Sequence, residues 1–116
     1  MTFFHGTRND TFVAHVGLCV TTDEDAARRY GRNGLIAELE IGRSAVRILS
    51  INVSREDIDA NNWPGDTAAS AAAIVADGYD AVAYTDMDCD GNTHPTLRLL
   101  TPAAVAAIVV VSMDEV

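Results

Sequence analysis

Segments with strand character open and close this chain, and the helical segments between them do not alternate one-for-one with strands. That order fits an α+β fold better than a sheet built on regular βαβ repeats. Residues 2–5 are short, apolar and aromatic, and residues 16–21 are apolar and β-branched; both read as strands. Thr22 or Asp23 then caps a helix running to about Tyr30, with acids in its first turn, Arg28 and Arg29 near its end and Gly31 just beyond. Residues 35–41 alternate with period two, and residues 45–51 form a further strand. Ser54 starts a short helix that Asn61-Asn62-Trp63-Pro64-Gly65-Asp66 breaks, and residues 67–77 form an alanine-rich helix stopped by Gly78. Residues 81–84 are strand, 86–95 loop, and 96–100 and 106–113 strands joined across Thr101-Pro102-Ala103. The expectation is one α+β domain over residues 1–116, with six or seven short strands and two or three helices.

Charge narrows the function. The 116 residues carry 17 acids against 8 bases, every base an Arg, for a net charge of −9. A protein that grips nucleic acid needs a basic stripe to displace counterions, and the sequence has none. An acidic field instead suits basic partners, including proteins whose basic surfaces hold nucleic acid. The two cysteines, Cys19 and Cys89, make no disulfide framework and read as reduced thiols. The N-terminus has no basic region followed by an apolar run, and the longest apolar stretch, residues 102–113, is too short to cross a bilayer. A soluble, cytoplasmic protein is expected, with no membrane partner.

Three constellations carry candidate chemistry. His5-Gly6-Thr7 closes the first strand with an imidazole, a residue lacking Cβ and a hydroxyl, a set that holds a sugar or phosphate edge. Gly17 to Tyr30 is a strand feeding a capped helix that ends in an aromatic ring. Taken separately, the first is an ordinary strand-end histidine and the second a core strand with a packing tyrosine. The third, Asp86-Met87-Asp88-Cys89-Asp90-Gly91, spaces carboxylates like the first half of a calcium loop. Its twelfth position is Leu97 rather than a bidentate Glu, so a solvated or catalytic acidic loop is the better reading and no metal is assigned.

Together the first two segments resemble the ADP-ribosyltransferase fold in its diphtheria-toxin and poly-ADP-ribose polymerase branch. His5-Gly6-Thr7 resembles that branch's first motif, and Gly17 to Tyr30 its second. Gly78-Tyr79-Asp80-Ala81-Val82 resembles a strand entry of many bacterial members, and Leu97-Arg98-Leu99-Leu100-Thr101-Pro102-Ala103-Ala104-Val105 resembles the strand and turn that close their sheet, so the order agrees over nearly the whole chain. A closer likeness is to small phage-encoded anti-CRISPR ADP-ribosyltransferases, through Leu18-Cys19-Val20-Thr21-Thr22-Asp23-Glu24. The resemblance implies a split, mostly antiparallel sheet and NAD as cosubstrate. His5, Gly6, Thr7, Thr21, Thr22 and Tyr30 would bind NAD, His5 on a ribose and Tyr30 stacked on nicotinamide. It implies a protein target, a nucleic-acid-binding or CRISPR-Cas protein among the candidates. Cys19 stands where the branch has its first Tyr, and Thr96 where it has its catalytic Glu. The nearest acids precede that strand, which makes Asp86 the first candidate catalytic carboxylate and Asp88 the second. The rival expectation is a non-enzymatic acidic protein that blocks a basic surface.

Overall fold

In a computed structural model the chain runs β1 (Thr2–Thr7), β2 (Cys19–Val20), α1 (Glu24–Tyr30), β3 (Leu35–Ile41), β4 (Ile48–Ser50), α2 (Arg55–Asp59), α3 (Ala68–Ala76), β5 (Ala81–Met87), β6 (Thr93–Leu99), α4 (Pro102–Ala106) and β7 (Ile108–Glu115). The structure describes residues 1–88 and 90–116, with Arg43 through its backbone alone; Cys89, the second thiol, lies outside the described residues. The strands form two sheets, of order β1-β3-β7 and β2-β6-β5-β4. Every pairing is antiparallel except β4 with β5, whose parallel partnership needs the crossover supplied by α2 and α3. This is an α+β fold.

The two sheets enclose one apolar core. Phe3, Leu39 and Ile41 come from the first and Val20, Leu97 and Leu99 from the second, with Leu18 and Ala104 filling between. Leu39 and Leu99 are completely buried, each removing enough apolar surface to contribute about 2 kcal/mol. A smaller cluster covers the other face of the second sheet, where Ile74 of α3 meets Val82, Tyr84 and Leu100. Trp63 stacks on Tyr84 there, ring centroids 6.0 Å apart.

Each α-helix begins on a side chain suited to its free N–H groups. Asp23, Ser54, Thr67 and Thr101 each accept from a backbone N–H three residues on. The fourth helix, α4, stands where the sequence reads as a turn: Thr101 caps it, Pro102 fills its first turn, and the Thr101 hydroxyl also donates to Asp80 at 2.9 Å. The expected loop at 86–95 is mostly hairpin. β5 continues through Asp86 to Met87, and β6 starts at Thr93, with Asp86 opposite His94. β2 is shorter than residues 16–21 suggest, because after pairing Val20 with Leu97 the chain leaves β6 and bridges Thr21 to Phe4 of β1. That departure leaves residues 93–96 of β6 without a second neighbouring strand among the described residues. Pro95 is tolerated there, and a cleft opens. No helix among the described residues is long and apolar enough to cross a membrane.

Candidate functional site

The cleft at this opening has a volume of about 300 Å³. β1 supplies Phe4, His5 and Gly6, β2 and its exit supply Cys19, Val20 and Thr21, and α1 supplies Ala27 and Tyr30. Asp86 of β5 and His94 and Thr96 of β6 complete it. Facing positions of an antiparallel pair share a face, so Tyr84 and Asp86 lie beside Thr96 and His94 on the side of the second sheet away from the core. The core side belongs to Ala81, Ala83, Leu97 and Leu99.

His5 is fixed by its neighbours. Its Nδ1–H donates to the Cys19 carbonyl at 2.8 Å, since a carbonyl only accepts, and Nε2 is therefore the ring's acceptor when the imidazole is neutral. Phe12 lies against the ring at 5.5 Å. Burial lowers the pKa of His5; the Cys19 hydrogen bond opposes this and the charge on His15 adds to it. Burial also raises the pKa of the Cys19 thiol, against the pull of Arg98, so the sulfur stays protonated at neutral pH. Cys19 thus serves the cleft through its backbone oxygen. Beneath it, burial lifts the Tyr84 phenol well above its ordinary range, and Arg98 donates to the phenol oxygen at 3.1 Å.

Gly6 has a different reason from the one its sequence suggests. A Cβ there would collide with the Ala27 carbonyl oxygen and meet the Gly31 nitrogen at 2.6 Å. The glycine lets α1 lie directly on β1, and this close approach brings Tyr30 to the cleft. Tyr30 is 45% exposed and sets its ring edge-on to His94 at 5.5 Å and 71°.

Of the residues singled out from the sequence, His5, Gly6, Thr21, Tyr30 and Asp86 line this cleft; Thr7, Thr22 and Asp88 do not. Thr7 accepts from the Asn9 N–H at 3.2 Å and shapes the turn after β1. Thr22 lines a second groove, of about 330 Å³, with Met1 and Phe3. Asp88 closes the β5–β6 hairpin: its carboxylate accepts from the backbone N–H groups of Asp90 and Asn92 and pairs with Arg29 of α1 at 3.4 Å. The Thr21 hydroxyl accepts from the Asp23 N–H at 3.0 Å, so it orders the turn into α1 from the cleft wall. Asp86 accepts from its own neighbour, the Met87 N–H, at 2.7 Å and makes no ion pair among the described residues. No group of three or more His, Cys, Asp or Glu among the described residues is placed to hold a metal ion.

The reading of residues 86–95 as a loop passes over His94. It is 4% exposed and Thr96 5%, and among the described residues neither His94 Nδ1 nor Thr96 Oγ1 has a hydrogen-bond partner. Each such atom costs about 1–3 kcal/mol if left unsatisfied. A histidine two residues before a strand threonine, on the face opposite the leucines, is the available signal. It is hidden because the turn formers around it read as loop.

No protein-family model, curated protein or solved structure matches the chain.

Proposed function

We propose that the chain is an ADP-ribosyltransferase, taking NAD as cosubstrate and a protein side chain as acceptor. One observation carries the reading: His5, Thr21, Tyr30 and Asp86, which are spread from the first strand to the fifth, converge on a single cleft. At about 300 Å³ the cleft is at the small end of ligand sites, which suits nicotinamide with its ribose and leaves the rest of the dinucleotide along the rim. Among the described residues the lining contains no Lys or Arg, so the pyrophosphate would lie outside it.

Neutral His5 offers Nε2 to a ribose hydroxyl. The Tyr30 ring offers an apolar face to the nicotinamide plane. As the bond between nicotinamide and ribose C1′ breaks, its electron pair leaves with nicotinamide and positive charge builds on the ribose, as in glycoside hydrolysis. The Asp86 carboxylate stabilises that charge. The acceptor's lone pair then forms the new bond at C1′, and Asp86 takes the proton that the acceptor releases. By the resemblance, a CRISPR-Cas protein is the first target to try.

The test is Asp86→Asn. Calorimetry is expected to find NAD bound within about twofold of wild type, while nicotinamide release falls by at least about 100-fold. Absence of NAD binding to the folded wild-type protein at millimolar concentration would overturn the reading.

A further inference from the structure

We propose that the outer edge of β7 docks an extended, basic segment of the protein target, which adds to the first sheet as a fourth strand. The proposal holds whether or not the cleft takes NAD. β7 is the longest strand among the described residues, at eight residues, and it ends the sheet of order β1-β3-β7. Among the described residues it pairs with β3 alone, so its other edge presents backbone N–H and C=O groups that no strand takes up. The fold protects its other edges. β2 has two residues and β4 three, while β1 is bridged to Thr21 and overlaid by α1 at Gly6. β7 carries no Pro, Lys or Arg, and its Val109, Val110, Val111 and Met113 are between 42% and 61% exposed. A bulge leaves Val111 between the Leu39–Val110 and Glu38–Ser112 pairs, and regular register resumes from Ser112 to Glu115.

The side chains at this edge define the occupant. On one face Val110 and Met113 stand opposite Leu39 and Ala37 of β3, and apolar side chains of an added strand continue that face. On the other, Glu38 and Asp114 share a hollow of about 50 Å³ with Glu24, Arg28 and Ser112. Glu24 already pairs with Arg28 at 3.0 Å, and among the described residues neither Glu38 nor Asp114 has an ion pair. Arg or Lys at alternate positions of an added strand meets these acids. A second copy of the chain fits less well. Antiparallel self-pairing about Val111 sets Asp114 and Glu115 against Ile108 and Ala107 of the other copy, next to its Glu40–Val109 pair. It also brings together two chains of net charge −9.

The probe is a fluorescent octapeptide alternating Arg and Val, with the same peptide carrying Glu for Arg as control, both read by anisotropy. Wild type is expected to bind the Arg peptide with a Kd below about 100 μM, and the Glu peptide at least about tenfold more weakly. Asp114→Arg reverses a charge, and Val111→Lys places a cation on the edge. Each is expected to weaken the Arg peptide by about tenfold while thermal melting shows it folded. Strand addition uses only one alternate set of the peptide's N–H groups. N-methylation of one set is therefore expected to abolish binding, and of the other set to leave it within about threefold. Equal effects of the two methylated sets would mean that no strand is added, and would overturn the proposal. Folded Asp114→Arg and Val111→Lys that bind the Arg peptide as wild type does would overturn it too. A wild-type dimer that dissociates in Val111→Lys, with no Arg peptide bound, would give the edge to a second copy instead.

Discussion

His5 ties a functional assignment to a stability measurement. Its pKa is lowered in the folded protein, chiefly by burial, so between that value and the unfolded value near 6.5 the unfolded chain binds more protons. The sign follows: this contribution is complete above about pH 6.5 and is lost as pH falls through the folded pKa. Urea midpoints measured at pH 7.5 and 5.5 are expected to fall with pH, and by less in His5→Gln. An equal fall in both would place the loss on other groups. Gly6 gives a harsher case. Gly6→Ala forces a methyl into the Ala27 carbonyl, a backbone atom that no rotamer change can move aside. The expected loss is about 3 kcal/mol or more, read from the urea midpoint, with NAD binding lost alongside because Tyr30 moves with α1. A variant as stable as wild type would show that β1 and α1 part without cost.

At the scale of elements, α1 is the part whose position matters most, because it carries Tyr30 and holds Arg29 against Asp88. Asp23 caps it, accepting from the Ala26 N–H at 3.1 Å. Asp23→Ala is expected to cost about 1 kcal/mol and to weaken NAD binding, whereas Asp88→Asn loosens the hairpin turn and leaves nicotinamide release near wild type. Equal loss of release in Asp88→Asn and Asp86→Asn would return Asp88 to the catalytic role. The sequence makes α1 plain, since its cap, acidic first turn, basic last turn and terminating glycine all agree. β3 is equally plain from its period of two. α4 escapes a sequence reading although Thr101-Pro102 is a cap followed by a first-turn proline, because five residues are too few to show a periodicity. The β5–β6 hairpin escapes it for the opposite reason: its acids, Asn, Gly and Pro are turn formers, and only strand pairing across the sheet overrides them. The cleft is half legible. His5, Thr21, Tyr30 and Asp86 stand out as residue types in an order, but His94 and Thr96 become a pair only when β6 is a strand with one face turned to the cleft.

Over the whole molecule, charge dominates. A net charge of −9 on 116 residues makes the folded chain repel itself, and its ion pairs, such as Glu24–Arg28 and Arg55–Asp59, are exposed and contribute little. Raising salt from 10 mM to 1 M shortens the screening length from about 30 Å to about 3 Å. The melting temperature is therefore expected to rise, by about 5 °C; a fall would mean that the ion pairs outweigh the repulsion. The same surface supports the rival reading, in which acids alone occupy a basic groove, and the two readings part on where damage is felt. Asp57 is a poor probe because it accepts from Ser54 and Asn62 and so helps fold α2. Glu56 and Asp77 are exposed, and Asp77 caps the C-terminal end of α3, where a positive charge is favoured over a negative one. The double variant Glu56→Arg with Asp77→Arg is thus expected to fold and to release nicotinamide at the wild-type rate, while Asp86→Asn does not. Were inhibition of a basic target to survive Asp86→Asn and vanish on reversing Glu56 and Asp77, the acids would be the active surface. The cleft would then be a remnant of the fold, because a blocking surface needs complementary charge and no chemistry at Asp86.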